Sequence, residues 1–381
     1  MKRKLLSVFF SLCLILTLLP TAALAADAPG SVGIGYTGTL TTGYYVAASG
    51  DPAGTKGAPD NVRAVDKVDA APTSGGYLQY DADTATLTVH GAVALDISYS
   101  GLTATGAVTL NTGTRGSDSL SITNNSSPIT INSGATLTLT GSGALTLVGT
   151  SASTVGGSGA LTTSGYTGDL SISAASSPAI GTLSSVSLNT TGALTIAGSN
   201  SAPTIAPAGN VTLSGGSVEL TGGYMLFSGS NSISITSKNS LDLEGANNAP
   251  LFSSSSGVTL SSDGDVTVKN TGTGYAVNGP LNVTKAQNVV VTTSGDPTVV
   301  GNVTVAADGD VSITNTGSSI AVLGNLIVGG STNTDGANSV TVTNSAASPT
   351  ITGNTITVNA VNDITIATTA AAQLTATLRR P

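Results

Sequence analysis

A period of about 24 residues runs through most of this 381-residue chain. Pairs of apolar residues separated by one other residue begin at Leu95, Leu120, Leu145, Leu170, Leu194, Val218, Leu241, Val266, Val289, Val311, Val340 and Ile364. Their steps are 22–25 residues, with one of 29. A second series begins at Leu137, Leu161, Val186, Val211, Ile233, Val258, Leu281, Val303, Leu326 and Ile356, mostly about eight residues ahead of the first. A third, often entered through Pro or Ala, is a single apolar residue at Ile129, Val155, Ile180, Ile205, Phe227, Phe252, Val277, Val300, Val322 and Ile351. Three series in phase at one period restrict the chain to a solenoid, a propeller or an array.

Strand chemistry chooses among these. Val211-Thr212-Leu213 and Val266-Thr267-Val268 alternate apolar, polar, apolar, which sends the apolar pair to one face and Thr to the other. β-Branched side chains suit that pleat. Gly, Asn, Asp and Ser between the strands suit tight corners. A propeller blade needs about 40 residues and four longer strands. Three short strands and three corners instead close one coil, and each strand pairs with its equivalent one repeat later. The expected fold is an all-β parallel β-helix, with right-handed coils by the crossover rule. At ~4.8 Å per coil, roughly twelve coils make a rod about 55 Å long. The long step from Val311 to Val340 contains the Gly/Ser/Asn-rich segment 329–336, expected to protrude as a loop.

The ends lack the repeat. Lys2, Arg3 and Lys4 precede a mostly apolar stretch, 5–19, then Pro20 and the small-x-small motif Ala23-Leu24-Ala25. This order reads as a secretory signal over 1–25, removed to leave Ala26 first. Its apolar core is shorter than the ~20 residues of a spanning helix, and the mature chain carries no longer one, so no membrane span is expected there. Residues 26–91 read as an N-terminal cap and linker, in which the run from Gly76 to Gly91 shows two alternating strands flanking the turn Asp81-Ala82-Asp83-Thr84, a hairpin signature. A cap covers the open edge and core of a terminal coil. Coils then fill 92–381 with no capping segment after them, which predicts a piece of a longer protein.

Composition excludes several functions. One His and one Cys cannot make a Cys/His zinc site, and cleavage after Ala25 removes Cys13. Lys and Arg total 12 against 20 Asp and Glu, for a formal charge of −8. Removing Lys2, Arg3 and Lys4 makes the mature chain more acidic still. Nucleic acid, which requires a basic face, is not an expected partner.

The run Tyr80-Asp81-Ala82-Asp83-Thr84-Ala85-Thr86-Leu87-Thr88-Val89, followed by coils such as Asp265-Val266-Thr267-Val268, resembles secreted parallel β-helix surface proteins of Gram-positive anaerobes. The resemblance implies a carbohydrate-binding or adhesin-like protein, with polysaccharide or a host or cell-surface glycan as partner.

Candidate chemistry is sparse. Val218-Glu219-Leu220 and Leu241-Asp242-Leu243 occupy equivalent strands, so Glu219 and Asp242 are expected to stack outward on adjacent coils. Two carboxylates that close can act as an acid/base pair, but with Glu244 and Lys238 beside them they read as solvated surface charges. Asp263-Gly264-Asp265 and Asp308-Gly309-Asp310 could invite calcium. They lie two coils apart, with Gln287 and Asn288 between, and read as corners in which Asp bonds its own backbone. Tyr166, Tyr224 and Tyr275 are candidates for exposure, and Phe227 and Phe252 for a stacked core. Outward Thr138, Ser187, Thr212, Ser234, Thr259, Asn282, Thr304, Ile327 and Thr357 form an interrupted hydroxyl row, and His90 reads as a surface strand residue. The expectation is a non-catalytic, secreted or cell-surface stalk or glycan-binding module without cofactor, metal or catalytic residues. A polysaccharide lyase or hydrolase and an ice-binding surface are the alternatives.

Overall fold

The computed structural model describes residues 30–35, 38–48, 65–97, 101–229, 231–246, 248–295, 297–317, 319–330, 336–345, 350–353, 355–366 and 373–378. The proposed signal (1–25) and most of the 329–336 insertion lie outside them. The chain is a β-solenoid of stacked parallel strands without an α-helix among the described residues, and none of their helices is long and apolar enough to cross a membrane.

Each of the three apolar series becomes one wall. The first forms a 12-stranded sheet, and the second forms most of a 16-stranded sheet. The third is a narrow ribbon. It runs from the four-stranded sheet ending at Val155–Gly157, through single bridges at Ile180 and Ile205, to the five-stranded sheet from Phe227–Ser228 to Val322–Leu323. The apolar members point inward in a continuous column, with Leu147, Leu194, Leu213, Leu243, Val268 and Ile313 at most 1% exposed. Burial of each such side chain contributes roughly 1.5–3 kcal/mol. Next-coil strands satisfy the backbone. Phe227 and Phe252 stack within the ribbon wall, with ring centroids 5.1 Å apart. Val311 pairs with Val340 in unbroken register, so the 29-residue step is absorbed outside the strands.

The register corrects three positions. Val93, not Leu95, lies opposite Leu120, while Leu95 lies opposite Ile122. A two-residue slip keeps every side chain on its face, so alternation alone could not detect it. In the ribbon, Val299 pairs with Val277 and is buried, whereas Val300 is half-buried. Two-residue strands contain too little alternation to identify the inward residue. The second wall also starts earlier than Leu137, because Val108 pairs with it.

At the N-terminal end the 16-stranded sheet changes direction. Tyr77–Asp81 pairs antiparallel with Thr86–His90, and Gly43–Ala47 pairs antiparallel with both Tyr77–Asp81 and Val65–Val68. Thr86–His90 then pairs parallel with Ala107–Asn111, the first coil strand of that wall. Leu78, Tyr80, Leu87 and Val89 continue the apolar core, and the alternate residues face outward.

Candidate functional site

The outward face of the antiparallel strands carries an aromatic row. Tyr77 and His90 are direct cross-strand partners, and their rings stack with centroids 4.5 Å apart and planes 17° from parallel. Tyr44, on the neighbouring strand, meets Tyr77 edge-on at 6.0 Å. All three rings are half-buried. His90 Nε2 lies 3.1 Å from Gln79 Oε1. Stack and hydrogen bond together fix the ring plane.

His90 and Tyr77 form one side of a groove of about 450 Å³. The 72–75 loop, Thr88 and Gly91 contribute to its walls, as do Gly113, Thr114, Arg115 and Asp118 of the next corner. Asp118 builds that turn. Its Oδ2 accepts from the Arg115 backbone N–H and its Oδ1 from the Gly91 N–H, both at 2.9 Å. One side chain thus ties the turn to the end of the hairpin strand. Asp118 is 4% exposed. Desolvation pushes its carboxyl up, but the amides of Arg115 and Gly91 and the Arg115 charge outweigh this and hold it below the ordinary carboxylate range. Gly113 has φ +95°, and a Cβ there would stand 2.6 Å from Asp118 Cβ, so the close approach requires glycine. The Arg115 side chain is exposed on the turn.

The acids anticipated from sequence lie elsewhere. Glu219 and Asp242 are register partners on adjacent strands, both exposed on the open outer face of the 12-stranded sheet. Glu244 pairs with Lys269 at 2.9 Å. The two Asp-Gly-Asp turns share a corner with Gln287 and Asn288 between them, as expected. Three of their acids, Asp263, Asp265 and Asp310, bond to side chains of the next coil. Asp263 accepts from Lys285 at 2.7 Å, Asp265 from Asn288 at 2.8 Å, and Asp310 from Asn338 at 2.6 Å. Among the described residues no three His, Cys, Asp or Glu side chains converge as a metal site. Tyr166 is 2% exposed, with its hydroxyl 2.8 Å from the Asp169 carbonyl and 3.0 Å from that of Gly143. It is a buried corner brace rather than an exposed platform. The hydroxyl row follows the register, extends back to Thr109 and includes Thr162 between Thr138 and Ser187, with Asn282 and Ile327 interrupting it.

Sequence reasoning missed Tyr44, Tyr77, Arg115 and Asp118. Two signals were available: tyrosines concentrated before residue 100, and an Arg/Asp pair three residues apart in a chain with 8% charged residues. Comparison with family models, curated proteins and solved structures gave no match to this chain.

Proposed function

We propose that this chain is a non-catalytic, secreted or cell-surface stalk of the adhesin-like kind, which binds glycan at its N-terminal end. The observation that carries this reading is the Tyr77–His90 stack lining a polar groove, with Tyr44 edge-on against Tyr77. Aromatic rings offer apolar surface and polarised edges at low conformational cost. The surrounding hydroxyls of Thr88, Thr73 and Ser74 can exchange hydrogen bonds with sugar hydroxyls. The stacked coils supply a stiff support that holds the groove away from whatever anchors the rod. The basic-apolar-small pattern of 1–25 supports export.

A polysaccharide-active enzyme is the second reading, and the adjacency of Glu219 and Asp242 favours it. Their exposure on an open sheet face weighs against it, because acid/base pairs work best where water is excluded. A panel of soluble and insoluble polysaccharides, with pull-down and released sugar both measured, separates the readings. Retention without release, reduced by Tyr77→Ala, supports the stalk. Release abolished by Glu219→Gln with Asp242→Asn supports the enzyme. Neither retention nor release across the panel removes both.

A further inference from the structure

We infer that the groove selects saccharides bearing a carboxylate, with Arg115 as the group that recognises it. This deepens the glycan-binding reading and rests on it. Two independent observations lead here.

The first is the charge of the walls. Arg115 and Asp118 are the charged residues that line the groove. They differ in what a ligand can reach. Asp118 is buried, and each of its oxygens already accepts a backbone N–H. Arg115 is exposed. Ion pairs among the described residues join Lys269 to Glu244 and Lys285 to Asp263; Arg115 is in neither, and its charge acts on Asp118, whose oxygens already take N–H donors, without an ion pair to it. A ligand entering the groove therefore meets a guanidinium and hydroxyl donors, while the carboxylate is turned into the protein.

The second is the contrast with the rest of the molecule. The chain is acidic, at −8, and Arg115 is the single arginine among the described residues. A general field would repel an anion, so binding has to come from a local, directional contact. A guanidinium supplies one, because its planar fork matches a carboxylate through two parallel hydrogen bonds. Tyr77 and His90 line the same groove as Arg115, so one end of a sugar ring can rest against these rings while its carboxylate meets Arg115. Arg115 is held there by Asp118, which accepts from its backbone N–H and acts as a positioning residue.

The test compares polygalacturonate with its methyl ester, which keeps the sugar and removes the charge. Binding to the purified mature chain is measured in 0.15 M salt, alongside Arg115→Gln, Arg115→Lys and Tyr77→Ala. The expected result is retention of the acid form, weakened about ten- to a hundredfold by esterification and by Arg115→Gln. Arg115→Lys should restore part of it. Arg115 is exposed, so its variants should melt with the parent protein and report binding alone. Equal retention of acid and ester, lost in Tyr77→Ala but not in Arg115→Gln, overturns carboxylate selection and leaves the glycan reading standing. No retention of either polymer, with a neutral polysaccharide retained, does the same. No retention of any saccharide overturns both.

Discussion

Phe227 and Phe252 lie face to face one coil apart, with ring planes 16° from parallel, both at most 1% exposed. They occupy the column that Ile205 fills in the coil before and Val277 in the coil after. Two large rings in a column of aliphatics fit only because they fall on consecutive coils and stack. Phe252→Ala should therefore cost about 3–5 kcal/mol, and Phe252→Leu clearly less. Each coil contacts its neighbours, so the loss should be regional. Hydrogen exchange should rise in the coils around 227–277 and much less near 100. Uniform acceleration along the rod would argue against a nearest-neighbour stack.

Asn270 braces a corner from the inside. Its Nδ2 lies 3.0 Å from the carbonyls of Gly274 and Tyr275, and its Oδ1 accepts from Gly272 N–H. Asn315 repeats the motif with Gly317 and Ile320. Asn270 is 1% exposed, so Asn270→Ala leaves buried backbone groups unpaired and should cost about 1–3 kcal/mol. Asn270→Asp should also destabilise, because an ionised carboxylate cannot donate. A neutral result for either in thermal unfolding would mean that water replaces the side chain.

Asp118 predicts an acid-sensitive N-terminal end. Its folded pKa lies below the ordinary 3.8, so its contribution is complete above that value and is lost as pH falls through the folded pKa. Stability measured from pH 6 to pH 2 should decline at the acid end, and Asp118→Asn should flatten that decline. Asp118→Ala should cost about 1–3 kcal/mol at neutral pH by stranding the amides of Arg115 and Gly91. An unchanged acid limb in Asp118→Asn would assign the decline to other carboxylates.

Glu219 and Asp242 place like charges side by side on one sheet face. Like charges on neighbouring strands destabilise, so Glu219→Gln should stabilise the chain by about 0.2–1 kcal/mol in low salt. The gain should shrink at high salt, where exposed charges are screened. A gain that persists in 1 M salt would have a cause other than repulsion.

The solenoid was legible because its signal is local and repeated. Val266-Thr267-Val268 states its inward and outward faces through alternation alone, and a dozen repetitions of that statement leave little choice of architecture. Register was less legible. Leu95 and Val93 share a face, so either satisfies the pattern, and the pairing with Leu120 is settled by how the corners pack. Val299 and Val300 differ only in which one the two-residue strand turns inward.

Sequence alone determined the period, the three walls, the inward columns of the two wide sheets and the outward stacking of Glu219 on Asp242, because each follows from side-chain alternation repeated at a constant step. Tertiary structure decided the groove. Tyr77 and His90 come from two antiparallel strands, with Tyr44 beside them on a third, and Arg115 and Asp118 come from the next corner of the chain. Nothing periodic links them. The turn that carries Arg115 is tied to the end of the hairpin by the Asp118 side chain, which accepts from the Gly91 amide one coil earlier, a contact made only when the two coils stack.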